Sequence, residues 1–193
     1  EQGKRSPEMA ASQSTITFDV QDCKVYPVST DVSGGITYGA AIDVPGIQEV
    51  SVEPNFVTVE LKGDGKVLAK KGKIDRLNFS ATYAELSLEV LKTIFGGTVA
   101  AAGSGSTETA TYTFDGGSLP YFKVEFLVND LESELSELVF ALAKCQVTGG
   151  TIMSGSTDNF GTPSFDAEAI LPIATGVGFG TVQFREASTG LSA

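Results

Sequence analysis

Few residues in this 193-residue chain are of types that carry catalysis, and their spacing decides what they can do. There is no histidine, which removes Ser-His-Asp and Cys-His nucleophile pairs and the commonest metal ligand together. Glu132, Glu134 and Glu137 lie close in sequence. Such carboxylates could approach a cation, but no convergent ligand accompanies them, and they are expected to form a solvated face. Cys23 and Cys145 make no disulfide framework, and such sparse usage fits reduced, buried thiols. The glycine-rich stretches fail as phosphate cradles. Gly63-Asp64-Gly65-Lys66 has Glu60 where a P-loop needs its first glycine, and Val67 where it needs Ser or Thr. Gly176-Val177-Gly178-Phe179-Gly180 lacks dinucleotide spacing, and Gly103-Ser104-Gly105 is no nucleophile elbow. Asp64 and Asp75 lack the carboxylate ladder of a calcium loop. Asn78-Phe79-Ser80 is a glycosylation sequon, a pattern common by chance. No catalytic residue, cofactor or metal is expected, and the chain does not read as an enzyme.

Charge narrows the partners. There are 24 acids against 13 bases, a formal net charge of -11. A DNA binder neutralises phosphates with Lys and Arg, so this balance suits a soluble surface, or one that repels a passing polyanion. No run of about 20 apolar residues predicts a membrane-spanning helix. Residues 1–14 are polar and lack the apolar core of a signal peptide.

The elements that must position these residues are mostly strands. Residues 1–13 read as a flexible arm, 14–187 as a single β-rich domain and 188–193 as a C-terminal tail. Alternation predicts strands over 14–28, 36–44 and 47–53, with Pro27 at a strand end or edge. Phe56, Val57, Val59 and Leu61 run into Lys62-Gly63-Asp64-Gly65-Lys66, and Val67-Leu68-Ala69 run out. Asp-Gly supplies the positive φ of a tight hairpin turn. From Glu85 to Phe95 the residues Leu86, Val90, Leu91 and Ile94 share one helical face, which is expected to dock on a sheet, with an intersubunit contact as the alternative. Gly96-Gly97 ends that helix. Phe122, Val124, Phe126 and Val128 alternate as a half-buried strand. Leu131 to Gln146 fits either a helix or a strand buried on both faces. Last strands are expected over 165–173 and 179–186.

Three stretches together resemble the major tail tube proteins of long-tailed, non-contractile bacteriophages. The first is the hairpin Glu60-Leu61-Lys62-Gly63-Asp64-Gly65-Lys66-Val67-Leu68. The second is Phe79-Ser80-Ala81-Thr82-Tyr83-Ala84-Glu85-Leu86-Ser87-Leu88-Glu89-Val90-Leu91, a strand running into a helix that stops at Gly96-Gly97. The third is Lys144-Cys145-Gln146-Val147-Thr148-Gly149-Gly150, continuing into Thr162-Pro163-Ser164-Phe165-Asp166-Ala167-Glu168-Ala169. Their order over roughly residues 56–173 carries the resemblance.

The resemblance implies a mainly β fold, a β-sandwich or barrel with one short flanking helix and extended hairpin loops. It implies a structural virion protein of the tail, assembled in the bacterial host cytoplasm. Copies would form hexameric rings stacked into a tube through which double-stranded DNA passes without specific binding. Further partners would be the tape measure, tail tip and terminator proteins, and no membrane insertion is implied. Lys62, Gly63, Asp64, Gly65 and Lys66, with residues 30–55, are then candidates for contacts between rings. Glu125, Asp166 and Glu168 are candidates for an acidic lumen. Two alternatives are a tube subunit of a type VI secretion-like injection system and a β-sandwich module that binds carbohydrate or a cell surface.

Overall fold

The computed structural model of the protein describes residues 17–130, 137–158, 160–185 and 189–191. It is mainly β, with one α-helix and antiparallel sheets. In chain order the elements are β1 (Thr17–Val32), β2 (Gly35–Tyr38), β3 (Ile42–Asp43), β4 (Ile47–Gly63), β5 (Lys66–Tyr83), α1 (Leu88–Phe95), β6 (Thr98–Ala102), β7 (Thr109–Thr113), β8 (Phe122–Asp130), β9 (Glu137–Thr151), β10 (Ser164–Ala169) and β11 (Gly180–Arg185). The main sheet runs β2-β1-β8-β9-β10-β5-β4, with β3 also on β1 and β11 also on β9; β6 and β7 form a separate hairpin.

The sheet curls around one core. Phe122, Val124, Phe126 and Val128 point inward from β8, as their alternation predicts, and meet Phe79, Ala81, Phe165, Ala167, Leu142 and Val147. Phe165 sits among three other rings, with centroids 5.6 Å from Phe79 and 6.2 Å from Tyr83 and Phe122. Val20 of β1 and Val50 and Val52 of β4 line one groove. The two ends of the sheet therefore approach each other, although no ladder joins β1 to β4 among the described residues.

Several sequence expectations are redrawn. The segments 47–53 and 56–61 are one strand, β4, which continues through Pro54. Pro54 is tolerated because β4 is an edge strand and needs no donor on its open side. The stretch 36–44 breaks into β2 and β3. Pro27 lies within β1, where the β1–β8 ladder reaches its last pair, Pro27 with Phe122. The ambiguous segment is a strand from Glu137 onward, while 131–136 lie outside the described residues. Three residues of β8 (Phe122 to Val124) face four of β9 (Leu142 to Cys145), a bulge that keeps Leu142 and Cys145 both in the core. The 98–102 strand, β6, had no clear alternation to announce it. The proposed terminal arm, 1–13, lies outside the described residues.

Helix α1 is shorter than expected. Ser87 caps it by accepting a hydrogen bond from Val90 N at 3.4 Å. Gly96 and Gly97 end it with φ of +80° at each, where a side chain would be strained. Val90, Leu91 and Ile94 are buried as expected, and such burial is worth on the order of 1.5–3 kcal/mol per side chain. Leu86 is the exception. It precedes the cap and is 45% exposed, so Thr93 completes the buried face instead.

Candidate assembly surface

The β4–β5 ribbon dominates the surface. Its turn, Asp64-Gly65, takes φ of +50° and +73°, the two positive values that a type I′ hairpin requires. The ladder pairs Ile47 with Tyr83 at one end and Gly63 with Lys66 at the other. β10 supports β5 only as far as the pair Ala169–Leu77. Beyond it, residues 56–74 form an arm with no other strand beside it among the described residues. On one face of the arm Val57 pairs Lys73, Val59 pairs Lys71 and Leu61 pairs Ala69. Val59 is 68% exposed and Leu61 62%. An isolated two-stranded ribbon is marginal in water, and large side chains uncovered on it mark a surface that binds something.

The arm is also the cationic part of the molecule. Lys24, Arg76, Lys92, Lys123, Lys144 and Arg185 each have a carboxylate partner. Lys62 and Lys70 share Glu60. Lys66, Lys71 and Lys73, all on the arm, are the cations left without an ion pair among the described residues.

Nearer the body the same ribbon becomes acidic and polar. The row Ser51–Ser80–Asp166 lies beside the row Glu53–Asn78–Glu168. These side chains and Thr148 line a shallow groove. Ser51 and Ser80 hydrogen-bond at 3.1 Å, and Arg76 reaches Glu168 at 2.9 Å. Asn78 therefore sits inside a ladder, not on the loop that a glycan acceptor needs. Asp166 and Glu168 are thus neighbours, and Glu53 joins them.

Glu125 does not join them. It faces Ala141 of β9, five residues along that strand from Gln146, the partner of Glu168. The Tyr26 hydroxyl donates to it at 2.8 Å, and Lys123 pairs with it. Burial pushes its carboxyl up, but the bonds from Lys123 and Tyr26 outweigh that and hold it below the usual range. Lys123 also lies 4.9 Å from the ring centres of both Tyr26 and Tyr38.

Glu137 corrects the expectation of a solvated acidic face, of which Glu132 and Glu134 lie outside the described residues. It is fully buried. Arg185 pairs with it at 3.1 Å, and Thr189 N and Gly190 N donate to it at 3.2 and 3.3 Å. Leu191, at the expected tail, packs on Leu127 and Val139. A second acid, half-buried Asp31, went unforeseen. Asp31 accepts from Lys144 at 2.7 Å and from Ile173 N and Ala174 N at 2.9 and 3.1 Å. The Lys144 bond chiefly holds its carboxyl below the usual range. No local motif in the sequence relates Asp31 to partners so far along the chain.

Both cysteines are buried free thiols, pushed well above the usual thiol range by burial, with Asp22 and Asp43 adding to the effect at Cys23. Among the described residues no group of three His, Cys, Asp or Glu could hold a metal ion. No helix of the described residues is long and apolar enough to cross a membrane. No family model matches the chain, and no curated protein does.

Proposed function

We propose that the chain is a structural subunit of a bacteriophage tail tube, in which copies join into hexameric rings and the rings stack around a channel for DNA. The observation that carries this reading is β4, a 17-residue edge strand with one backbone edge unpaired among the described residues. Exposed edges of that length invite pairing and are usually blunted. Here edge pairing with a neighbouring copy joins sheets into a wall. The turn Lys62 to Lys66 makes contacts between rings. Asp166 and Glu168, with Glu53, give the wall an acidic face along which DNA slides without sticking, whereas the paired and hydrogen-bonded Glu125 contributes little to it. Tape measure, tip and terminator proteins are the remaining partners.

Electron microscopy of the purified protein at rising concentration tests the reading. Hollow tubes or stacked rings with sixfold end views are expected. A chain that stays monomeric, even when a tail-tip complex is added to initiate growth, refutes it.

A further inference from the structure

We propose that the arm of one copy docks head to tail into an apolar pocket at the opposite end of the sheet in a second copy. The inference rests on the tube reading and names the surfaces that join one ring to the next.

The pocket lies where β5 ends, β9 ends and β10 begins. Ala84, Leu86, Ile152, Met153, Phe160 and Pro163 line it, around a volume of about 360 Å³. Phe160 is 98% exposed and Met153 80%. The acids beside it are Glu85, between Ala84 and Leu86, and Asp158, in the loop that carries Met153 and Phe160. Neither has an ion pair or hydrogen bond among the described residues. This explains Leu86, which the helix does not bury.

The arm offers the complement. Its tip carries Leu61, Val67 and Leu68, all more than half exposed, and the unpaired Lys66, with unpaired Lys71 behind. Apolar surface meets apolar surface, and free cations meet free carboxylates in a molecule whose described cations outside the arm all have carboxylate partners. The arm cannot reach its own pocket. The two stand at opposite ends of β5, an 18-residue strand, which at 3.3 Å per residue is about 60 Å long. The occupant is therefore a second copy, and a contact between two different patches propagates along an axis instead of closing on itself. That is the symmetry of stacking, distinct from the edge pairing that closes a ring.

A charge swap tests it. Lys66→Glu with Lys71→Glu in one variant, and Glu85→Lys with Asp158→Lys in another, are each expected to leave rings intact and to raise the concentration needed for stacking by about tenfold or more. All four reversals in one chain are expected to restore tubes. Thermal melts matching the unaltered protein show that the variants fold, since all four side chains are exposed. Variants that fold and stack as the unaltered protein does overturn this contact while leaving the tube reading in place. Stacking lost in both variants and not regained in the fourfold one also overturns it. Failure of the unaltered chain to form rings at all removes the tube reading itself.

Discussion

Replacing Phe165 by Ala is expected to destabilise the subunit by about 4–5 kcal/mol, while Phe160→Ala, only a few residues away, is expected to change stability by about 0.5 kcal/mol or less. Phe165 is fully buried and touches three aromatic rings, at centroid distances of 5.6, 6.2 and 6.2 Å. Truncating a buried Phe costs about 3–5 kcal/mol through lost transfer energy and the cavity left behind. Each aromatic pair adds about 0.5–1.5 kcal/mol beyond its area, which places this site at the top of the range. Both neighbours of Phe165 along β10 are polar, so the strand cannot slide to refill the space without burying Asp166. For a domain of this length, melting falls about 2–4 °C per kcal/mol, so a drop of about 8–20 °C is expected. Urea and thermal unfolding of the dissociated subunit measure both variants. A Phe165→Ala loss below about 1.5 kcal/mol, or a Phe160→Ala loss as large, would refute the assignment of the core.

Further outcomes follow from single residues. Gly65→Val is expected to loosen the arm by about 1–2 kcal/mol, because φ of +73° penalises a β-branched side chain; faster amide exchange confined to the arm, with an unchanged global melt, checks it. Glu125 is held below its ordinary value of 4.5, so the stability it adds is present above that value and is lost as pH falls through the lower, folded one. Glu125→Gln should therefore flatten the acid limb of a stability–pH curve. Asp22 has the opposite sign: burial, with Asp43 nearby, raises its carboxyl despite Lys24, so its charge costs stability at neutral pH, and Asp22→Asn should raise the melting temperature there. Neither thiol should react with a disulfide reagent in the folded subunit, and both should react once urea unfolds it; fast labelling of the native protein would contradict their burial.

The parts of this fold that are legible in the sequence are those where one local rule acts alone. Asp64-Gly65 announces its turn because Asp-Gly is one of the few dipeptides that suit two positive φ values. The alternation of Phe122 to Val128 survives because one face of β8 meets the core. Leu86 misleads because helical spacing says nothing about where the cap falls, and Ser87 starts the helix after it. Pro54 looks like a strand breaker until the topology shows β4 at an edge. The acids divide by distance along the chain. Asp166 and Glu168 share a face by simple period-two spacing, but the place of Glu125 depends on a bulge in a different strand. Glu137 and Asp31 depend on residues 48 and more than 100 positions away, a separation at which no periodicity operates.

The edge of β9 has a further use. It is occupied by β10 up to Cys145 and by β11 from Leu142, so the chain leaves the sheet at Ala169 and re-enters at Gly180 almost where it left. Ile170 N bonds Lys144 O, and Ala143 N bonds Phe179 O, both at 2.9 Å, closing the base of the excursion. Its ends are fixed by the sheet and by Asp31, so the length between them is nearly free. Gly176 to Gly178 is thus expected to serve as a splice point, where an inserted epitope or whole foreign domain should leave the melting temperature of the subunit unchanged.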